Sequence, residues 1–182
     1  IQDLTMPKWQ KLQKGNPCKM RYHNITKDDM LNGDGLRAVL WVAGCTHKCK
    51  GCHNPVTWDI EGGIPFDEAA KEELFEELKK DYVSGVTFSG GDPFHLENRE
   101  EIGALAKEIR EKFPDKTIWL YTGYEWEEIC HLSFLSNIDV IVDGKFKIEE
   151  KDNNLHWKGS ANQRVIDVKA SLRAGEVRLY QE

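Results

Sequence analysis

Three of the chain's five cysteines, Cys45, Cys49 and Cys52, fall within eight residues. Three residues separate the first pair and two separate the second. Thiolates crowded into one loop hold zinc or an iron–sulfur cluster. A structural zinc ion takes four protein ligands, and this loop supplies three thiols. His47 or His53 lies near enough in sequence to complete a three-cysteine, one-histidine site, and Cys18 or Cys130 folding back would also serve. The alternative is an iron–sulfur cubane with one iron left open, which a small molecule would bind through nitrogen and oxygen. Cys130 sits in an amphipathic stretch and reads as a small buried apolar residue. His23, His95, His131 and His156 are scattered and read as structural.

Two further motifs offer chemistry. In "SGGDP", Gly90 and Gly91 let backbone approach a ligand closely, and Asp92 with nearby carbonyls suits an ammonium group. In "DGKF", Asp143 and Lys145 either meet a polar ligand or form a solvated turn. Lys48 and Lys50 flank the cysteines, either as solvated surface residues or as a charge that steers an acidic electron donor.

The elements that must position these residues alternate. "LRAVLWVAG" reads as a buried strand entering the cysteine loop. "FDEAAKEELFEELKKDY" is a helix with Ala70, Leu74 and Leu78 at four-residue spacing. "GVTFSGG" is a second strand, followed by a helix with Ile102, Leu105, Ala106, Ile109 and Phe113 on one face. Asn98 with Glu101 resembles a capping box at its start. "TIWLYTG" is a third strand, "EWEEICHLSFL" a shorter helix and "IDVIVDGKF" a fourth strand, with "VIDVK" and "EVRLY" as possible late strands. Such alternation implies right-handed βαβ units and a mostly parallel sheet. A complete eight-unit barrel takes roughly 250 residues, so a chain of 182 supplies a partial, open barrel or a flat doubly wound sheet. The cysteine loop, "SGGDP", "TGY" and "DGKF" each follow a strand. In parallel α/β folds the strands' carboxyl ends form the active face, so the four motifs point to one site.

The bulk numbers set the boundaries. A composition 40% hydrophobic and 31% charged is that of a globular chain, and the formal charge of −6 argues against nucleic acid as main partner. No apolar run has membrane-spanning length, and the crowded cysteines fit a reducing compartment, the cytoplasm. Residues 1–19, which include Cys18, are read as an extension or artefact, 20–166 as the working domain and 167–182 as a C-terminal tail. Met20 is a plausible natural start.

With "CTHKCKGC" joined to "SGGDP", the sequence resembles the radical S-adenosylmethionine enzymes. More narrowly, it is similar to the glycyl-radical activases of anaerobic ribonucleotide reductase. That similarity runs from Tyr22 to Arg164 through "IWLYTGY", "VIVDGKF" and "WKGSANQR". It implies a partial, open (β/α) barrel of the radical S-adenosylmethionine type. Cys45, Cys49 and Cys52 would hold a [4Fe-4S] cluster whose fourth iron S-adenosylmethionine chelates. Gly90, Gly91 and Asp92 would bind the methionyl part, and the backbone at Gly51, Cys52 and His53 would lie against the cofactor. The implied activity is reductive cleavage of S-adenosylmethionine, with the 5′-deoxyadenosyl radical generating a glycyl radical on the anaerobic reductase. Flavodoxin or a similar protein would donate the electron. Gly51, where many superfamily members carry an aromatic residue, suits the activase subgroup. No role is implied for Asn162, Arg164 or the tail. An activase of another glycyl radical enzyme, of the pyruvate formate-lyase type, and a non-catalytic zinc-binding module are the alternatives.

Overall fold

The computed structural model describes residues 20–181, so Cys18 and the reading of residues 1–19 lie outside the described residues. Among those described, seven strands form one sheet: β1 (Arg21–Asp29), β2 (Arg37–Val42), β3 (Ile64–Pro65), β4 (Gly85–Gly90), β5 (Thr117–Tyr121), β6 (Val140–Asp143) and β7 (Arg164–Asp167). Their order is β3-β1-β2-β4-β5-β6-β7. The middle, β2-β4-β5-β6, is parallel, as the strand–helix alternation requires. Both flanks are antiparallel, which corrects the expectation of a mostly parallel sheet. The sheet is open, with β3 and β7 at its edges.

Helices α1 (Glu68–Leu78), α2 (Arg99–Lys112), α3 (Trp126–Ile129) and α4 (Val168–Ala174) complete the described regular structure, with short 3₁₀ turns between. Asp67 caps α1 by accepting from the Ala70 N–H at 3.0 Å, and Leu74 and Leu78 bury its apolar stripe. Period-two alternation divides the two faces of β5. Ile118 and Leu120 join Val86, Phe88, Leu40 and the helices in the main core, while Trp119 packs on the opposite face with Val140, Val142, Trp157 and Tyr180.

Four expectations are corrected. "VIDVK" is β7 running into α4, because Asp167 caps a helix there, its carboxylate accepting from Ala170 at 2.8 Å. "EVRLY" contributes only an isolated bridge, Leu179 to Ile166. Asn98 makes no side-chain cap, and Cys130 is exposed at the end of the single-turn α3 rather than buried. Val168 is fully buried in the core, so the segment after β7 is packed against the sheet.

Arg37, at the amino end of β2, is fully buried. Its guanidinium donates to the Val86 and Thr117 carbonyls at 2.7 and 2.9 Å and to Thr87 Oγ1 at 2.8 Å. Burial lowers its pKa to about 10. These bonds stitch β2, β4 and β5 together at the end of the sheet opposite the cysteine loop. No helix among the described residues is long and apolar enough to cross a membrane.

Candidate functional site

In register, Val42 pairs with Gly90 and Tyr121 with Val142, which aligns the carboxyl ends of four parallel strands. The cysteine loop leaves β2 there and returns to the same place. The Gly44 N–H donates to the Thr57 carbonyl at 2.8 Å and the Cys45 N–H to the Trp58 carbonyl at 3.0 Å. Within the loop, the Cys52 N–H donates to the Cys49 carbonyl at 3.1 Å, and the Asn54 N–H reaches Cys52 Sγ at 3.4 Å. The Ser89–Pro93 turn is knitted to this base. The Gly91 N–H donates to Val42 and the Asp92 N–H to Gly44, at 2.8 and 2.7 Å. Gly90 holds φ +105°, and a Cβ on Gly91 would stand 2.5 Å from the Gly44 carbonyl oxygen. Only glycines fit this approach of backbone to backbone.

Cys45, Cys49, Cys52, His53, Gly90, Gly91 and Asp92 all line one cavity. Gly51 is not among its lining residues; it packs against Ile148 instead. Among the described residues, no three His, Cys, Asp or Glu side chains converge on a single-ion site. The three thiols are half-buried around a shared space instead. Burial pushes the Cys45 thiol up to about 11, opposed by the backbone N–H groups of His47 and Lys48. Cys49 is also raised by burial, opposed by the Phe146 N–H and the Lys145 charge. Such thiols are protonated at neutral pH, so taking up metal releases their protons. The donor set fits an iron–sulfur cluster: three cysteine sulfurs on one excursion of the chain, beside glycines that leave room for a second ligand.

Asp92 is 1% exposed, and its carboxylate accepts from four residues. The donors are the Phe94 N–H at 2.8 Å, Thr122 Oγ1 at 2.9 Å, the Gly123 N–H at 2.9 Å and His47 Nε2 at 2.7 Å. Its oxygens thus tie together the cysteine loop, its own turn and the "TGY" turn after β5. "DGKF" is resolved as architecture in part. Asp143 is buried, accepting from the Trp126 N–H at 2.8 Å and from Arg164 Nε at 3.1 Å, and Arg164 also forks onto Glu127. Those two carboxylates raise the Arg164 pKa. Lys145 is exposed.

Residues that sequence reasoning passed over complete the wall. Phe146 packs edge-on against His53 at 5.5 Å between centroids. Gln163 bonds the Gly159 N–H and the Gly144 carbonyl, each at 2.9 Å, which brings the "WKGSANQR" segment to the cavity. The glutamine stood within a quoted motif, but its target lies in another loop, and spacing carries no signal of that.

An open α/β sheet with three cysteines and a glycine turn at the ends of its parallel strands defines an iron–sulfur protein. Consistently, the family described as "4Fe-4S single cluster domain" matches residues 31–166. The anaerobic ribonucleoside-triphosphate reductase-activating protein of Enterobacteria phage T4 is 45% identical over 146 residues, covering 80% of this chain and 93% of its own. Proteins of the same name from Haemophilus influenzae and Escherichia coli K12 are each 40% identical over 150 residues, covering 80% of this chain and 97% of theirs. The chain belongs to the family of anaerobic ribonucleoside-triphosphate reductase-activating proteins.

Proposed function

We propose that this protein is a radical S-adenosylmethionine activase that installs a glycyl radical on an anaerobic ribonucleoside-triphosphate reductase. The observation that carries the reading is the convergence of Cys45, Cys49 and Cys52 with Gly90 and Gly91 on one cavity at the strand ends. Membership of the activating-protein family supports the partner. In this reading the open sheet is the partial barrel of radical S-adenosylmethionine enzymes, and its working compartment is the reducing cytoplasm.

Cys45, Cys49 and Cys52 would hold a [4Fe-4S] cluster through three irons, leaving the fourth to S-adenosylmethionine. When bound, the pair would supply reductive cleavage of the sulfonium and a 5′-deoxyadenosyl radical that takes hydrogen from a glycine of the reductase. The chain's own residues orient and enclose. The Gly90–Gly91–Asp92 turn would receive the methionyl end on its backbone edge, since the Asp92 carboxylate is committed to protein donors. The backbone at Gly51, Cys52 and His53 would flank the cofactor, with the Phe146 ring behind His53. Electrons would come from flavodoxin or a similar carrier. The open side of the sheet gives a loop of a large partner a way to the cavity.

The test is anaerobic reconstitution with iron and sulfide, followed by reductant and S-adenosylmethionine. Release of 5′-deoxyadenosine and a glycyl EPR signal on the cognate reductase are expected; no release from a cluster-loaded protein overturns the reading. Alanine at Cys45, Cys49 or Cys52 should abolish both cluster and cleavage, whereas Cys130→Ala, exposed on α3, should leave them intact. A colourless protein that retains zinc would favour the binding-module alternative.

A further inference from the structure

His47 stands between Cys45 and Cys49 in the cysteine loop and lines the same cavity as the sulfurs, and its ring reaches an acid 45 positions on. Its Nε2 lies 2.7 Å from Asp92 Oδ2, with the two side chains only 8% and 2% exposed. A carboxylate has no proton to give, so the bond requires one on Nε2. The ring is held on two further sides. Tyr124 meets it edge-on at 4.7 Å between centroids. A Cβ on Gly123 would come within 2.4 Å of the ring, so the absent side chain there is the space that the imidazole fills. The next residue, Lys48, turns back at φ +47°. A non-glycine residue rarely adopts that conformation without support from its surroundings.

Resting on the activase reading, we infer that His47 is a positioning residue, whose ring, locked onto Asp92, sets the spacing between the cysteine loop and the glycine turn. The two halves of the site sit on neighbouring strands, β2 and β4, and their bases are joined by backbone bonds at Gly44 and Val42 and by the Asn98 amide, which reaches the Ala43 and Asp92 carbonyls. Beyond those bonds the loop projects as an excursion that nothing on β2 restrains. His47 is the side chain that reaches from the middle of the first cysteine interval to the turn. Holding the ring fixes the chain between Cys45 and Cys49, and groups that orient cluster ligands from outside are among the levers on reduction potential. The side chain would act on both partners of the chemistry: on the cluster through the loop that carries Cys45 and Cys49, and on the cofactor through the Asp92 turn.

The experiment compares the wild type, His47→Gln and His47→Ala after anaerobic reconstitution. Glutamine retains an N–H donor on a chain of similar reach, whereas alanine retains none. Three quantities are read: iron per chain, the reduction potential of the cluster without S-adenosylmethionine, and the affinity for S-adenosylmethionine by equilibrium dialysis. For His47→Ala the expected result is retained iron, a shifted potential and an affinity weaker by roughly 10- to 100-fold. His47→Gln should recover most of both. Wild-type potential and affinity in His47→Ala overturn the inference. So do equal losses in both variants that track the urea midpoint, since packing alone would then explain them. Should His47→Ala fail to load iron, Gly123→Ala leaves His47 in place while displacing its ring, and must move potential and affinity in the same direction. A wild-type protein that binds the cluster but neither binds nor cleaves S-adenosylmethionine sinks the activase reading. Normal cleavage with an unperturbed His47→Ala sinks this inference alone.

Discussion

The side-chain amide of Asn98 donates to the carbonyl of Ala43 at 2.7 Å, joining the start of α2 to the last residues before the cysteine loop. Asn98 is fully buried, and its amide also reaches the Asp92 carbonyl at 3.3 Å. Replacing it with alanine strands the Ala43 oxygen in the core, at a cost of about 1–3 kcal/mol. Urea unfolding of Asn98→Ala should show that loss with an unchanged m-value. Asn98→Asp should do no better, because a carboxylate brings acceptors where a donor is needed.

Gly51 has φ +74°, and a Cβ there would lie 2.7 Å from Ile148 Cδ1. Gly51→Ala should therefore cost about 1–2 kcal/mol in backbone strain, plus the displacement of a side-chain end. Ile148→Val removes the offending methyl. In a double-mutant cycle read by urea unfolding, it should recover the steric part and leave the backbone part in place. Strict additivity of the two substitutions would show that the contact is idle.

Asp139 gives a pH dependence. Burial works to raise its pKa, but bonds from Lys169, the Ile118 N–H and Arg110 prevail and hold it below the usual carboxylate range. A carboxyl depressed in the folded state binds fewer protons there than in the unfolded chain. It thus adds stability above its unfolded pKa and loses it as pH falls through the folded one. Asp139→Asn should lower the unfolding free energy read by urea at pH 7 by about 1–3 kcal/mol for the charge-assisted bonds lost. The gap to wild type should close on acidification below about pH 4, where the unfolded-state carboxyl protonates. A gap that stays constant with pH would contradict this account.

Many lysines on this protein are neutralised by nearby glutamates, as Lys71 is by Glu68, Lys80 by Glu77 and Lys112 by Glu108. Lys48, Lys50 and Lys145 are exposed and, among the described residues, form no ion pair. They surround the cysteine loop of a chain with a net charge of −6. If electrons arrive on an acidic carrier, reversing these three charges to glutamate should slow cluster reduction by about tenfold or more at low salt. The effect should fade as salt rises, and reduction by a small uncharged photoreductant should be unchanged. Stopped-flow absorbance of the cluster reads both.

Legibility in the sequence followed burial. β2, β4, β5 and β6 are covered on both faces, so each reads as a nearly continuous apolar run. β1, "RYHNITKDD", is half exposed and carries charges among its buried positions, and it gave no strand signal. α4 opens on Val168, which prolongs the β-branched run of Val165 and Ile166 in β7, and the cap at Asp167 marks where the chain turns into a helix. Asn98 looked like a cap because Asn-x-x-Glu is the local pattern of one. A tertiary partner 55 positions away claimed its amide instead. The cysteines and glycines of the site were visible because their chemistry is local. The pair of His47 with Asp92 was not, since nothing in the spacing of two residues on different strand ends announces contact.

The bonds from Gly44 to Thr57 and from Cys45 to Trp58 close the cysteine excursion at its neck. A chain that departs and rejoins at one place transmits little of its interior length to what lies outside. Insertions or ligand exchanges between the two pins would leave the pairing of β2 with β4 unaltered. The metal loop is thus a cassette set into the sheet: its contents can be exchanged while the strands beneath keep their register.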